Sequence, residues 1–289
     1  MLTIVVTTVG WPTFLALQRA SLDRFLTDEY QLIAVVDTPT ASGPINLWGA
    51  EPRSEVIRVA HEFVDEVLEM PEDLHTGGPR RKRDLFRRNV FHPSSRHGQT
   101  LDFTWSWLLD RMEGSVLILD ADMLLVAPNA GSALVENTWM AAVRQSRMTR
   151  SHKQIDYVWP GLLFADVQRM PDPRGFSWGI RETDGALLDT GGETSLWLDP
   201  LSSVQRDEIS WLQHRPSLQW SVEDSEIAFD PAMEQFLRTD DRNIDGKVFA
   251  ELYDGCWLHF RAGSNWRNEP ADAVLARRVA FEAAVRSGA

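Results

Sequence analysis

Short, unbroken apolar runs alternate with helical spacing at the start of the chain. LTIVVTT (2–8) is apolar and rich in β-branched residues, and predicts a buried strand. Gly10 and Pro12 punctuate it. TFLALQRASLDRFL then sets Phe14, Leu15, Leu17, Leu22 and Phe25 at helical spacing. QLIAVVD reads as a second buried strand that ends at Asp37, followed by the turn cluster TPTASGP. Strand, helix and strand in this order predict a right-handed parallel βαβ unit. Residues 54–70 offer another helix and strand.

Residues 75–99 break the pattern. They carry three glycines, two prolines and a basic run in which Arg80, Arg81, Lys82, Arg83, Arg87 and Arg88 fall within nine positions. A loop with one or two helical turns is expected. LDFTWSWLLDRM follows as an amphipathic helix, and SVLILDADMLLVAP as the most strand-like stretch of the chain, interrupted by two carboxylates. Further on come a short strand at AAV, a polar loop at 144–156, an apolar strand VWPGLLFADV, a glycine pair before a helical pattern in GALLDTGGETSLWL, and a closing helix at roughly 270–286. No internal repeat is visible, and a boundary near 130 would divide two halves of one fold.

Composition narrows the function. The 289 residues carry 29 Lys+Arg against 42 Asp+Glu, a net charge of −13, which argues against broad nucleic-acid binding while leaving room for a local cationic pocket. The 43% hydrophobic and 25% charged fractions exclude a largely disordered chain. A single cysteine, Cys256, allows no intrachain disulfide. No signal peptide or membrane-spanning run is visible, so a cytoplasmic protein is expected. The twelve tryptophans read mostly as core or pocket walls.

The strongest chemical signal is Asp120-Ala121-Asp122 in the frame VLILDADMLLV. Four apolar residues deliver Asp120 to the end of a buried strand, and period-two alternation puts Asp122 on the same side if the strand continues. Two adjacent carboxylates repel unless a cation sits between them, which suits Mg²⁺ or Mn²⁺ with phosphate oxygens completing the shell.

With that frame the sequence resembles the GT-A glycosyltransferases, whose nucleotide-binding half ends in a D-x-D motif after an apolar strand. Other short pieces align in the same order. IVVTT, with Thr7 and Thr8 at its end, resembles their first strand against the nucleoside. AVVDT resembles the second, whose terminal acid (here Asp37) contacts base or ribose. VWPGLLFAD resembles the N-S-G-V-L-L-F strand beside the donor sugar; Gly161 matches, while Trp159 and Pro160 replace Asn and Ser. LHFRAGSNW resembles the H-F-x-G-x-x-K-P-W segment of the retaining glycogenin-like and galactosyltransferase group. His259 would be the third metal ligand, Gly263 and Trp266 fit loosely, and the Lys-Pro is missing.

The resemblance implies an α/β GT-A fold: a Rossmann-like, mixed, mostly parallel sheet flanked by helices in one large domain. Residues 1–130 would be the nucleotide-sugar-binding half, and 131–289 the acceptor-binding and catalytic half. It implies Mn²⁺ or Mg²⁺ held by Asp120, Asp122 and His259. The donor would be a nucleoside-diphosphate-sugar, a UDP-sugar foremost, and the acceptor a glycan or a lipid-linked hydroxyl met at the inner face of the membrane, as in polysaccharide biosynthesis. Thr7, Thr8, Asp37, Arg96, Asp120 and Gly161 are the expected donor contacts. Arg96 is placed just before the helix leading into the D-x-D strand, and the basic run at 80–88 is a candidate lid.

DTGGET (189–194) lies where the group has a D-Q-D segment, so Asp189 and Glu193 are the candidate catalytic carboxylates. Glu223 and Asp224 in WSVEDSEIAF are further candidates, or simply acids at a helix start. Retention and inversion both stay open. ALLDTGG also reads like an aspartic-protease signature, but that chemistry needs two such carboxylates and the chain has one D-T-G. A phosphatase-type D-x-D of the haloacid dehalogenase kind would sit nearer the N-terminus. No dinucleotide fingerprint, P-loop or nucleophile elbow is present. A non-catalytic GT-A-fold glycan- or nucleotide-binding protein and a sugar nucleotidyltransferase are the alternative functions.

Overall fold

The computed structural model describes residues 1–8, 10–38, 51–71, 74, 93–112, 114–261 and 270–287. The basic run at 80–88, Gly263 and Trp266 lie outside them.

Strand β1 (Leu2–Thr8), helix α1 (Thr13–Phe25) and strand β2 (Tyr30–Val36) form as the apolar pattern predicts, and α2 (Arg53–Phe63) with β3 (Glu66–Glu69) continues it. Helix α3 (Pro93–Arg111) leads into β4 (Ser115–Leu119). These strands and three later ones, β6 (Met140–Met148), β7 (Gln154–Asp166) and β10 (Ile209–Trp211), make a seven-stranded sheet of order β10-β6-β7-β4-β1-β2-β3. β3, β2, β1 and β4 run parallel, β7 is antiparallel to both its neighbours, and β10 is parallel to β6. This is the mixed, mostly parallel sheet flanked by helices, in a single domain, that the sequence implies.

Alternation explains why both faces are covered. Ile4, Val6, Leu32, Val36, Leu117 and Leu119 pack with Leu15 and Leu22 of α1 and Val56 and Ala60 of α2. Their neighbours Val5, Ile33, Val35, Val116 and Ile118 point the other way, onto Leu101, Trp105 and Leu108 of α3. Runs without a polar break are what a sheet buried on two faces requires.

A second, antiparallel sheet of order β11-β12-β13-β5 stands beside the first. It joins β5 (Met123–Leu125), β11 (His214–Arg215), β12 (Glu251–Tyr253) and β13 (Trp257–His259). A two-stranded ladder, β8 (Arg181–Thr183) with β9 (Ala186–Leu188), precedes the short helices α4 (Thr194–Leu198) and α5 (Ser203–Asp207). Helices α6 (Pro231–Thr239) and α7 (Ala271–Ser287) pack over the second sheet through Phe236, Phe260 and Phe281. The rings of Phe260 and Phe281 stack with centroids 4.2 Å apart.

Three local expectations change. The polar stretch 144–156 is mostly the distal end of the β6–β7 hairpin, not a loop. Its arms run beyond the core, so polar residues serve both faces, with Ser146 donating to Asp156. Helix α3 starts at Pro93, so Arg96 lies inside its first turns and not ahead of it. Finally, the apolar run through the two aspartates is not one strand: β4 ends at Leu119 and β5 belongs to the other sheet.

Candidate functional site

The chain changes sheets at the D-x-D sequence, and that change builds the site. Met123 N–H donates to the Asp120 carbonyl (3.1 Å), closing a tight turn over 120–123. Gln18, fully buried on α1, clamps the turn with its amide, donating to the Asp120 carbonyl (2.8 Å) and the Met123 carbonyl (3.1 Å). Asp120 N–H donates to the Gly161 carbonyl on β7 (2.9 Å). The two carboxylates therefore converge through a turn and not through strand alternation.

His259 arrives by strand pairing. β13 lies antiparallel to β5 with His259 opposite Met123, and Phe260 N–H donates to the Asp122 carbonyl (2.8 Å). His259 Nε2 comes to 3.2 Å from Asp122 Oδ1. Ligand atoms of Asp120, Asp122 and His259 all lie within 4.8 Å of one another, with Asp120 half-buried and the other two buried.

This set fits a divalent cation. Two carboxylate oxygens and one imidazole nitrogen suit Mg²⁺ or Mn²⁺. Neighbouring ligands of an octahedral ion with ~2.1 Å bonds stand about 3 Å apart, the separation of the His259 and Asp122 atoms. The electrostatics agree. Burial and the adjacent Asp122 charge hold the Asp120 carboxyl above its ordinary range. Burial pushes the His259 imidazole down, but Asp122 and Glu251 outweigh it and raise it to about 10.

The remaining residues spread along one edge of the large sheet. β1, β2 and β4 are parallel, so their carboxyl ends share an edge, where ligands of open α/β sheets bind. Thr7 and Thr8 end β1, Asp37 follows β2 and Asp120 follows β4. Thr7 and Thr8 are buried, and Thr7 Oγ1 lies 3.4 Å from His97 Nε2 on α3. Asp37 is buried and held by Arg96, whose Nε and Nη2 reach its two carboxylate oxygens at 2.9 and 2.8 Å; Thr100 adds a bond of 2.9 Å. Asp37 and Arg96, both expected donor contacts, thus form a bidentate pair with each other.

Gly161 has a packing reason for lacking a side chain. A Cβ there would stand 2.1 Å from the indole of Trp159, which lies across it. The same indole stacks on Tyr253 with centroids 5.1 Å apart and comes within 5.3 Å of the His259 ring. Trp159 is therefore a wall beside the Asp120, Asp122 and His259 cluster.

The loop of Asp189 and Glu193 packs against this edge. Thr190 Oγ1 donates to the Ser94 carbonyl on α3 (3.0 Å), and Thr194 Oγ1 accepts from Val158 N–H on β7 (2.8 Å). Gly191, with φ +87°, passes so close to Val158 that a Cβ would sit 2.2 Å from its carbonyl oxygen. Asp189 is exposed and accepts from Thr190 N–H (2.8 Å). Glu193 turns inward and accepts from Ser177 Oγ (2.7 Å), which also lies 3.4 Å from Asp102. Glu223 and Asp224 lie in a surface 3-10 turn. Glu223 pairs with Arg238, and Asp224 caps Ser221 and pairs with Lys247 (2.9 Å).

Sequence reading missed Gln18, His97, Asp102, Glu251 and Arg278. Arg278 of α7 lies over the Trp11 ring at 3.5 Å; burial lowers it to about 10, an effect opposed by the charge of Asp122. Only Gln18 left a trace in the sequence, a polar residue among apolar helix positions.

No protein-family profile and no curated protein matches the chain. Solved structures do. The galactosyltransferase LgtC in complex with donor and acceptor sugar analogs is similar over 99% of this chain and 95% of that one, at 12% identity and a TM-score of 0.42. An active-site mutant of LgtC is similar over 58% of each chain, at 12% identity and a TM-score of 0.34. The apo WbbM bifunctional glycosyltransferase is similar over 58% of this chain and 32% of that one, at 12% identity and a TM-score of 0.30. Likeness at this level says nothing of the reaction, which has to be read from the site.

Proposed function

We propose that this protein is a divalent-metal-dependent glycosyltransferase of the GT-A type, moving a sugar from a nucleoside-diphosphate-sugar to an acceptor hydroxyl. The observation that carries the reading is the Asp120, Asp122 and His259 cluster at the carboxyl edge of the parallel strands. Two carboxylates brought together at such an edge repel unless a cation lies between them, and the carboxyl edge is where open α/β sheets bind ligands.

Asp120, Asp122 and His259 would hold Mn²⁺ or Mg²⁺, which when bound supplies Lewis-acid stabilisation to a leaving diphosphate. Gln18 keeps the turn that presents the carboxylates. The ends of β1 and β2, at Thr7, Thr8 and Asp37, form the floor for a nucleoside, with a UDP-sugar as the first donor to try. Arg96 fixes Asp37 and contributes positive charge at the same edge. Arg278 supplies a further cation near Asp122 in a chain that lacks the Lys-Pro of its resemblance. Trp159 and Gly161 wall the sugar side. Asp189 presents its carboxylate to solvent beside this edge and is the candidate to face the reacting sugar or the acceptor. Glu193, bonded to Ser177, supports the loop that carries Asp189. The first half of the chain would thus bind the donor and the second half the acceptor, a glycan or lipid-linked hydroxyl.

Thermal denaturation with nucleoside diphosphates and nucleotide-sugars, each with Mn²⁺ and with chelator, tests this. A ligand at ~100 times its dissociation constant stabilises by ~2.7 kcal/mol. A metal-dependent shift that disappears in Asp122→Ala is expected. Equal shifts with chelator, or none with any nucleotide, would reject the reading.

A further inference from the structure

Glu251 is a buried-side carboxylate that no part of the proposed reaction uses, yet three donors converge on it. His259 Nδ1 lies 2.9 Å from its Oε2, Tyr253 Oη donates at 2.8 Å, and His214 Nε2 stands 3.8 Å away. Tyr253 Oη and His259 Nδ1 meet the same oxygen, Oε2, which is the acceptor of the Tyr253 hydroxyl. An ionised carboxylate only accepts. The proton between Glu251 and His259 therefore belongs to Nδ1, and Nε2 is the atom turned to Asp122.

The surrounding rings lock this arrangement. Glu251 and His259 are register partners on adjacent antiparallel strands, β12 and β13. Tyr253, two residues along the same strand, stacks on Trp159 on one side and on His214 at 4.4 Å on the other. The imidazole is thus bounded by Trp159, Asp122 and Glu251, and cannot present Nδ1 to the cluster without leaving Glu251.

We propose that Glu251 is a positioning residue for the cation site: it fixes the tautomer and ring orientation of His259 so that Nε2 is the ligand atom, and thereby sets the affinity for the divalent ion. The inference rests on the reading of Asp120, Asp122 and His259 as that site. Removing such an outer partner typically weakens metal binding by ~10–100-fold.

The test measures Mn²⁺ affinity from the electron paramagnetic resonance of free Mn²⁺, in the wild-type chain, E251A and E251Q. Nitrogen-15 spectra of the histidines are recorded at saturating Mg²⁺. Wild type is expected to bind, with His259 Nδ1 protonated and Nε2 on the metal side. E251A is expected to lose ~10–100-fold in affinity and the single tautomer. E251Q, whose amide oxygen can still accept from Nδ1, keeps the tautomer and loses less; it also serves if E251A does not fold. H214A, removing the most distant donor, has the smallest effect. Wild-type binding with unchanged affinity in both Glu251 variants, or a metal-linked shift on Nδ1, overturns the inference alone. No Mn²⁺ binding by wild type overturns it together with the reading of the cluster.

Discussion

Replacing Asp102 by Asn is expected to stabilise this protein at neutral pH, and the structure gives the size. Asp102 sits on α3 and accepts from Trp178 N–H at 2.7 Å. Burial raises its carboxyl to about 6; the Trp178 bond opposes the rise and the charge of Glu193 adds to it. A raised acid binds more protons folded than unfolded between the two values. Its contribution is fully present below about 4 and is lost as pH rises to about 6, so stability falls through that window. A rise from an ordinary 3.8 to about 6 corresponds to about 3 kcal/mol at ~1.4 kcal/mol per tenfold. Asn cannot ionise, but its oxygen can keep the Trp178 bond and its amino group can face Ser177. Some charge-assisted bonding is lost, so the net gain at pH 7 should be about 1–3 kcal/mol. Urea unfolding of wild type and Asp102→Asn, at intervals from pH 4 to pH 8, provides the assay. The difference between the two curves isolates this group from carboxylates such as Glu251 that titrate with the opposite sign. It should widen from pH 4 to pH 6 and then stay flat. Parallel curves, or a less stable variant at pH 7, would refute the reasoning.

Other expectations follow from single contacts. Gly161→Ala drives a methyl into Trp159 and should cost about 1–3 kcal/mol; in a double-mutant cycle with Trp159→Ala most of that cost should vanish, and additive losses would mean that the two residues do not touch. Arg96→Ala leaves buried Asp37 without its bidentate partner and should cost about 3–5 kcal/mol by denaturant unfolding, whereas a near-neutral result would show the pair to be dispensable. Gln18→Ala removes the clamp on the Asp120–Met123 turn; a loss of about 1–3 kcal/mol with weaker Mn²⁺ binding is expected, and unchanged binding would separate the clamp from the site. Asp189→Asn should keep metal-dependent donor binding while transfer falls by roughly 10²–10⁴-fold, measured as released nucleoside diphosphate; full turnover would remove Asp189 from the chemistry.

The elements that alternate or repeat regularly were legible in the chain. β1, α1 and β2 appear where their apolar residues lie, because a strand buried on both faces is apolar along most of its length. The D-x-D pair was legible as a candidate because it interrupts an apolar run, and His259 through the resemblance of LHFRAGSNW to a family segment. What brings them together was not. The turn at 120–123 depends on Gln18, a hundred residues away, and His259 reaches Asp122 only because β13 pairs with β5. Asp37 and Arg96 each read as a ligand contact, and only packing shows that they hold one another. Gly161 read as a donor contact, and only packing shows that its missing side chain makes room for Trp159. Asp102 and Glu251 carry no local signature at all. Local pattern follows from burial, which each residue's own neighbours report, so the sequence determined the strands, the helices and the acidic candidates. Partnership depends on which distant backbone segments pair, and that was decided by the tertiary structure alone.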